Sequence, residues 1–331
     1  MTDGQPKYGL AFIGKSLITL MIICGLVFYL GPELRKLPQV VQTLSWPMFL
    51  FAFIVNVVGS VLLPAMASNI ALTRERLQLS LWDLVRVNFV TRFYSLFLPR
   101  GGAFAMRWHQ YKKSGSGGDA FALVIFEKLV IVFAYSLAAV VFILIEIDKL
   151  GSGKRETAAA LVAVFLAMGL GISPFLSFRC SQLLSTWFGA ERRGVPKFVT
   201  RTVNSVLSAV SAYQSLDVRS IVRILLTTVL GYWLFVLSAY ILAVDMGLSV
   251  GLMSMAWVRS AVFMLTLIPI TVGGLGVREI GFVGLLGLYG VGGAEAVTFG
   301  LANFAVQAAI GLVGAGYEVR DLIQKKRGNS K

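Results

Sequence analysis

Residues 120–147 read AFALVIFEKLVIVFAYSLAAVVFILIEI, an apolar run that decides the fold class of this chain. A helix needs about 20 consecutive apolar residues to cross the hydrocarbon core of a membrane, and this run is longer than that. Its charged side chains are few, since only Glu127, Lys128 and Glu146 interrupt it. The run therefore predicts a membrane-spanning helix.

Working outward from this run, five comparable apolar stretches occur, at residues 10–30, 47–72, 157–178, 224–244 and 296–317. Three shorter stretches are interrupted by proline, glycine or arginine, at residues 81–98, 252–270 and 273–289. They predict broken helices, and the sequence leaves open whether these re-enter on one side or cross fully. The predicted fold is all-α, a polytopic transmembrane helical bundle in which residues 1–331 form one integral membrane domain.

The composition excludes a soluble enzyme. Hydrophobic residues make up 57% of the chain and charged residues only 14%, which lies outside the range of soluble domains. The two cysteines are expected to be free thiols, and a single histidine can build neither a zinc cluster nor a histidine-based triad. We expect no metal, no cofactor and no enzymatic activity.

The positive charges lie mainly in connections on one side of the predicted membrane. Lys and Arg outnumber Asp and Glu by 30 to 16, and they concentrate at residues 74–113, at residues 179–223 and after Glu318. The positive-inside rule then places these connections and both termini in the cytoplasm, in a multi-pass protein of the plasma membrane. Residues 196–215 carry polar residues at helical spacing and predict an amphipathic helix at the inner interface. Anionic lipid, rather than nucleic acid, is the expected partner.

Two distant stretches share one pattern of residues. The first comprises Arg92, LPRGG at residues 98–102 and Arg107, and the second comprises Arg259 and IPITVGGLGVRE at residues 268–279. In each, an arginine lies in a short apolar helix, a proline ends it, a glycine pair permits a tight turn, and a second arginine follows. The predicted hinge residues are Pro99, Gly101, Gly102, Pro269, Gly273, Gly274 and Gly276.

Irregular backbone at membrane depth is tolerated only where it is buried in protein or lines a water-filled cavity. The two loops are therefore predicted to line a cavity. By the predicted topology the first loop enters from the cytoplasm and the second from outside. Inverted-topology repeats have this arrangement, and their halves here would be residues 47–147 and 224–317.

Several charged residues lie at membrane depth. An unpaired charge such as Arg259 inside an apolar helix costs about 2.5 to 3.5 kcal/mol. Two readings stay open: these charges pair with one another, or they bind an anionic headgroup, and Arg92 and Arg100 have the further alternative of snorkelling to the interface. The candidate headgroup-binding residues are Arg92, Arg107, Glu127, Lys128, Arg259, Arg278 and Glu279.

Small and polar residues recur along the last apolar run, at Gly300, Asn303, Gln307, Gly311 and Gly314. Close helix packing explains such a stripe, and it also allows a homo-oligomer without requiring one. Four further glycines, Gly281, Gly284, Gly287 and Gly290, are likewise interpreted as packing positions. A phosphate-binding loop would need a soluble strand and helix around it, and that context is missing.

The motif LPxGG with Arg107, together with PITVGGLGVRE at residues 269–279, resembles the two signature segments of the transmembrane domain of lysylphosphatidylglycerol synthases. The resemblance covers nearly the whole chain in segment order. In that family the domain is associated with moving a lipid, aminoacylated phosphatidylglycerol in the best-understood members, from the inner to the outer leaflet. The positions that carry over are Gly101, Gly102, Arg107, Pro269, Gly273, Gly274, Gly276, Arg278 and Glu279, with Glu127 and Lys128 as a weaker match.

Some family members carry a cytoplasmic aminoacyltransferase domain after the membrane part. Because the sequence ends a few residues past the last apolar run, we expect a stand-alone member that does not make the lipid itself. The resemblance implies a lipid transporter or flippase for an anionic or modified phospholipid, or for a polyprenyl-linked lipid.

Two alternatives remain. One is a lipid-binding scaffold for a separate lipid-modifying enzyme, which would depend on the basic loops. The other is an intramembrane lipid-phosphate transferase, which would use Glu127 or Glu279 as its base, although such chemistry usually needs clustered acids.

Overall fold

The computed structural model describes residues 45–72, 77–98, 100–147, 152–176, 213, 216–267, 271 and 274–328. Within them the regular structure is helical, apart from one isolated antiparallel bridge between Leu77 and Gly115. The helices are α1 (Trp46–Val57), a π turn (Val58–Leu62), α2 (Leu63–Ala71), α3 (Leu81–Phe97), α4 (Arg100–Lys112), α5 (Gly117–Glu146), α6 (Ser152–Leu176), α7 (Val218–Asp245), α8 (Leu252–Leu267), α9 (Val277–Leu286), a 3-10 turn (Gly287–Tyr289) and α10 (Gly293–Gly328). The all-α fold class is confirmed.

Four helical segments of the described chain are long and apolar enough to cross a membrane: Trp46–Ala71, Gly117–Glu146, Val218–Asp245 and Gly293–Asp321. They coincide with four of the six predicted runs. The run at residues 157–178 falls in α6, whose apolar part is the shorter stretch Ala158–Leu170. The run at residues 10–30 lies outside the described residues, as does almost all of the predicted amphipathic helix at residues 196–215.

The first broken pair, α3 and α4, is a re-entrant hairpin. Helix α3 has 17 residues, or about 26 Å at 1.5 Å per residue, which is less than the hydrocarbon thickness of about 30 Å. The two helices pack against each other. Gln78, which precedes α3, donates its N–H to the carbonyl of Ser114, which follows α4, at 3.2 Å. The chain therefore leaves the hairpin next to the point where it enters.

The second broken pair, α8 and α9, has the same form. The helices are 16 and 10 residues long and pack against each other. Near the open end of the pair, Trp257 Nε1 donates to the Tyr289 hydroxyl at 2.7 Å. In the connection, Gly274 and Gly276 have φ of 75° and 81°, a left-handed conformation that favours glycine. This pair is also a re-entrant hairpin.

The long spans α1–α2 and α7 cross closely and run antiparallel. At the start of α1, the Ser45 hydroxyl and N–H donate to the Asp245 carboxylate, each at 2.7 Å, at the end of α7. At the crossing, a Cβ on Gly231 would lie 2.8 Å from the Gly59 carbonyl oxygen, so only glycine permits this approach. Each of these spans is followed by a hairpin, and the two hairpins therefore begin at opposite ends of the molecule.

Each hairpin packs its first helix on the last span of the other half of the chain, α3 on α10 and α8 on α5. The first of these contacts depends on glycine, since a Cβ on Gly314 would lie 2.2 Å from the Phe89 carbonyl oxygen and one on Gly311 would lie 2.7 Å from Leu96. Gly300 similarly meets Phe282 at 3.3 Å. The predicted packing role of these three glycines is confirmed.

The same interpretation is only partly right for the four glycines around α9. Gly281 packs against Val262, 3.2 Å from its added Cβ, but a Cβ on Gly284, Gly287 or Gly290 would meet nothing within 4 Å. The packing interpretation of these three is wrong within the described residues, because none of those residues lies within 4 Å of the added Cβ. Gly290 instead ends the 3-10 turn with a φ of 82°.

A π turn interrupts the first span, and Pro64 lies just after this turn, at the start of α2. Proline has no N–H to donate to the preceding turn, and π turns are frequent at functional sites. Side chains of α3 reach the carbonyls of the turn: Asn88 Nδ2 donates to Val61 at 2.8 Å and Arg92 Nη2 donates to Ser60 at 3.4 Å. The irregular backbone is thus held by polar groups of the first hairpin.

Candidate functional site

A cavity of about 590 Å³ lies between the two hairpins. Its walls come from both hairpins, the π turn, α2, α5, α7 and α10. Small-molecule and cofactor sites commonly have volumes of about 300 to 1,000 Å³. The cavity is therefore large enough for a ligand.

Most of the predicted binding residues meet at this cavity, namely Arg92, Arg107, Glu127, Lys128, Arg259 and Arg278. The seventh, Glu279, is buried beside Arg278 and does not line the wall. Each helix of each hairpin carries one of the four arginines. Of the predicted hinge residues, Gly274 and Gly276 lie in the connection of the second hairpin, whereas Gly101 and Gly102 lie in the first turn of α4 and not in a turn between helices. Pro99, Pro269 and Gly273 lie outside the described residues.

Glu127 has three neighbours that bind its carboxylate, although its Oε2 accepts no hydrogen bond. Its Oε1 accepts hydrogen bonds from the Ser68 hydroxyl and, at 2.9 Å, from the Tyr111 hydroxyl. Arg107 Nε lies 2.8 Å from Glu127 Oε2 as an ion pair, while its N–H is directed at the Tyr111 oxygen at 3.2 Å. This cluster joins α2, α4 and α5, so Glu127 serves at least a structural purpose.

Arg278 and Glu279 form a second buried ion pair. Arg278 Nε donates to Glu279 Oε1 at 2.9 Å, and Arg278 Nη2 contacts the same oxygen. Glu279 Oε2 accepts the Gly276 N–H at 2.7 Å at the start of α9. The Arg278 guanidinium also lies 4.9 Å from the centre of the Phe304 ring. The pair therefore holds the connection of the second hairpin and leaves the carboxylate without a free oxygen.

Arg92 points into the protein and does not snorkel to the interface. Its Nη1 donates to Gln307 Oε1 at 2.9 Å, and its Nη2 donates to the Ser60 carbonyl. A guanidinium carries five N–H donors, so three remain for a ligand. No carboxylate pairs with Arg92 within the described part of the chain. The Arg100 side chain, for which snorkelling was also predicted, lies outside the described residues.

Arg259 is the least satisfied charge at the cavity. It is 5% exposed, its Nε has no hydrogen-bond partner, and among the described residues no carboxylate lies within ion-pair distance. Its guanidinium lies 3.9 Å from the centre of the Phe235 ring, a cation–π contact. Stacking of this kind stabilises the charge and leaves the N–H edge of the group available to a ligand.

The site contains residues that the sequence did not indicate. Tyr135 lines the cavity together with Arg92 and Arg259. Gln307 was interpreted as a packing residue, and this is incomplete, because its amide oxygen binds Arg92 across the cavity wall. A tyrosine within an apolar run and an amide in a small-residue stripe have no distinctive sequence signal. Their roles follow only from which helices become neighbours.

The electrostatics of the cavity favour an anion. The guanidinium of Arg259 repels those of Arg278 and Arg92, and Arg92 repels Arg107. Like charges held together at a buried site oppose one another unless a ligand of opposite sign is bound. Arginine matches phosphate geometry through paired N–H donors. An arrangement of this kind suits a phosphate or a carboxylate group.

Comparison with known proteins agrees with the resemblance in the sequence. Residues 15–314 match the family model described as the lysylphosphatidylglycerol synthase TM region, which indicates a function related to membrane lipids. A comparison with individually curated proteins finds no significant match. Since the matched residues make up most of the chain, the protein belongs to the family of the lysylphosphatidylglycerol synthase transmembrane region.

Proposed function

We propose that this protein moves an anionic lipid between the two leaflets of the plasma membrane, with the headgroup passing through the arginine-lined cavity. The observation that carries the proposal is Arg259, a buried guanidinium on a membrane hairpin that faces a cavity and has no carboxylate partner among the described residues. A charge in such a place is costly. A ligand that neutralises it in part of the transport cycle accounts for its position.

The arrangement of the hairpins supports transport rather than catalysis. They begin at opposite ends of the molecule and bring their arginines to one cavity, as the discontinuous helices of transporters do around a midplane site. The carboxylates at or beside the cavity, Glu127 and Glu279, are both engaged in ion pairs. Neither is available as a general base without first breaking its pair.

The proposal is tested by leaflet exchange of fluorescent anionic phospholipids in proteoliposomes. Wild type is compared with Arg259→Gln, and with Arg223→Gln as the matched control, since Arg223 is an exposed arginine at the start of α7. We expect protein-dependent exchange in wild type and in the control. Arg259→Gln loses one charge-assisted contact with the headgroup, so its exchange rate should be lower by about tenfold or more.

The same variants separate a functional role from a structural one. Removing an unpaired buried charge should leave the thermal stability of the protein unchanged or raise it, because its desolvation cost is removed. Slower exchange without a lower melting temperature therefore supports the proposal. Exchange equal to that of protein-free vesicles in wild type, across anionic phospholipids and polyprenyl lipids, would favour the scaffold alternative.

A further inference from the structure

We propose that the headgroup held in this cavity ends in a phosphate with two negative charges, as in a phosphomonoester, and carries no ammonium group. This inference rests on the proposed function and narrows its substrate class. It departs from the aminoacylated lipid that the family resemblance implies.

The first step concerns the carboxylates. Among the described residues, Glu127 is the acidic residue that lines the cavity. Ser68 and Tyr111 donate to its Oε1, and Arg107 forms an ion pair with its Oε2, although that oxygen accepts no hydrogen bond. The neighbouring Glu279 is occupied by Arg278 and the Gly276 N–H. Within the described residues, a lipid ammonium group would find here no carboxylate that is not already paired with a guanidinium. It would also meet several guanidinium groups of its own sign.

The second step concerns the positive charges. Arg107 and Arg278 are each neutralised by their carboxylate partners, so the pairs Arg107–Glu127 and Arg278–Glu279 are close to neutral. Arg92 and Arg259 are not paired with a carboxylate in the part of the chain that the structure describes, and they repel each other. Two guanidinium charges therefore remain for the ligand, beside the ammonium of Lys128, which lines the cavity and has another interaction. A phosphomonoester carries close to two negative charges at pH 7, whereas a phosphodiester carries one.

The third step concerns hydrogen bonds. Arg92 retains three N–H donors beyond its bonds to Gln307 and Ser60. Arg259 adds its guanidinium edge, and the Tyr135 side chain also lines the cavity. A terminal phosphate offers three strong acceptor oxygens, one more than the free oxygens of a diester. More of the donors are satisfied by the monoester.

The experiment compares chain-labelled phosphatidic acid, phosphatidylglycerol and aminoacylated phosphatidylglycerol with identical acyl chains. Leaflet exchange is measured in proteoliposomes against protein-free vesicles at about pH 7.5. Phosphatidic acid should exchange about tenfold faster than phosphatidylglycerol, the factor of one additional charge-assisted hydrogen bond. The aminoacylated lipid should be slowest. Equal rates for the first two, or fastest exchange of the aminoacylated lipid, would overturn the inference.

A pH comparison identifies the second charge. At about pH 5.5 a phosphomonoester loses much of that charge, because its second pKa is near 6. The advantage of phosphatidic acid over phosphatidylglycerol should then shrink severalfold. Phosphatidylglycerol keeps one charge at both pH values, so its rate controls for titration of the protein. The charged and titratable groups around Arg92 and Arg259 are Arg107, Lys128, Arg278, Tyr135 and Tyr232, with the paired Glu127 and Glu279.

Removing one positive charge gives a second test. Arg92→Gln should narrow the ratio of the two exchange rates, because one guanidinium remains to be neutralised, and Arg223→Gln should leave the ratio unchanged. A ratio that is unaffected by Arg92→Gln would contradict the charge argument.

Thermal stabilisation of the purified protein by the same lipids, and by inorganic phosphate, separates binding from transport. Stabilisation by phosphatidic acid without exchange of any lipid would support the headgroup class and reject transport. Equal stabilisation by inorganic phosphate would reject a lipid ligand. Neither stabilisation nor exchange would reject both proposals.

Discussion

The buried charges of this protein are of two kinds at the scale of single residues. Arg107 and Arg278 are held by carboxylates, whereas Arg92 and Arg259 face the cavity without one in the described chain. The sequence predicted that Arg92, Arg259 and Arg278 lie at membrane depth, because each interrupts or borders an apolar stretch. It predicted Arg107 as a site residue from the pattern that the two distant stretches share. It could not decide which charges pair, since Arg107 and Glu127 meet only through the packing of α4 on α5.

Glu127→Gln is predicted to destabilise the protein. It leaves Arg107 buried without a carboxylate, and breaking a buried ion pair on one side costs on the order of 3 to 5 kcal/mol. Thermal unfolding of the purified variant should show a clearly lower midpoint, with the exposed Glu156→Gln as control. Adding Arg107→Gln should recover part of the loss, because the unpaired charge is then removed. A midpoint equal to that of wild type for Glu127→Gln would show that the pair is not structural.

At the scale of elements, the sequence predicted the long spans but left the broken helices undecided. Proline and glycine marked where each short helix ends. Each hairpin begins and ends on the same side of the bundle. The contacts that show this are Gln78 with Ser114 in the first hairpin and Trp257 with Tyr289 in the second. These partners lie on separate helices or loops and give no local signal. The same limitation explains why Gly314 and Gly284 look alike in sequence, although only Gly314 touches another helix.

The contact of α3 with α10 should be sensitive to one methyl group. Gly314→Ala places a Cβ 2.2 Å from the backbone oxygen of Phe89, so the helices must separate, and overpacking of this kind costs about 1 to 3 kcal/mol. Gly316→Ala, two residues away, meets nothing within 4 Å and should be neutral or slightly stabilising through helix propensity.

Thermal unfolding in detergent, together with the yield of folded protein, measures the difference between these two variants. Equal stability of the Gly314 and Gly316 variants would mean that α3 and α10 do not approach as closely as described.

At the scale of the whole molecule, the two halves of the bundle follow the same order of span, hairpin and span in opposite directions. Each half contributes to the cavity one arginine that is paired with a carboxylate and one that has no carboxylate partner among the described residues. The two related stretches of the sequence predicted that both halves contribute arginines to one cavity. Opposite directions of α1–α2 and α7 follow from the predicted inverted repeats, but their close contact could not be predicted, since it depends on Gly59 meeting Gly231.

The predicted orientation places the α4–α5 connection in the cytoplasm and the α7–α8 connection outside. Single cysteines are introduced at Lys113 and at Ser249, both exposed, after Cys24 and Cys180 are replaced by alanine. A membrane-impermeant thiol reagent should label Ser249→Cys in intact cells and Lys113→Cys only after permeabilisation, as the positive-inside rule requires. The reverse pattern would invert the assigned topology, and labelling of both from one side would contradict the hairpin arrangement.

The central claim is that arginines from both halves hold a lipid headgroup inside the membrane. The measurement that tests it most directly is a high-resolution structure of the protein in nanodiscs that contain anionic lipid. The account predicts density for a headgroup phosphate in the cavity, within about 3 Å of donors from Arg92 and Arg259. A cavity filled only with water, with headgroups confined to the two membrane surfaces and Arg259 paired to a carboxylate, would contradict it.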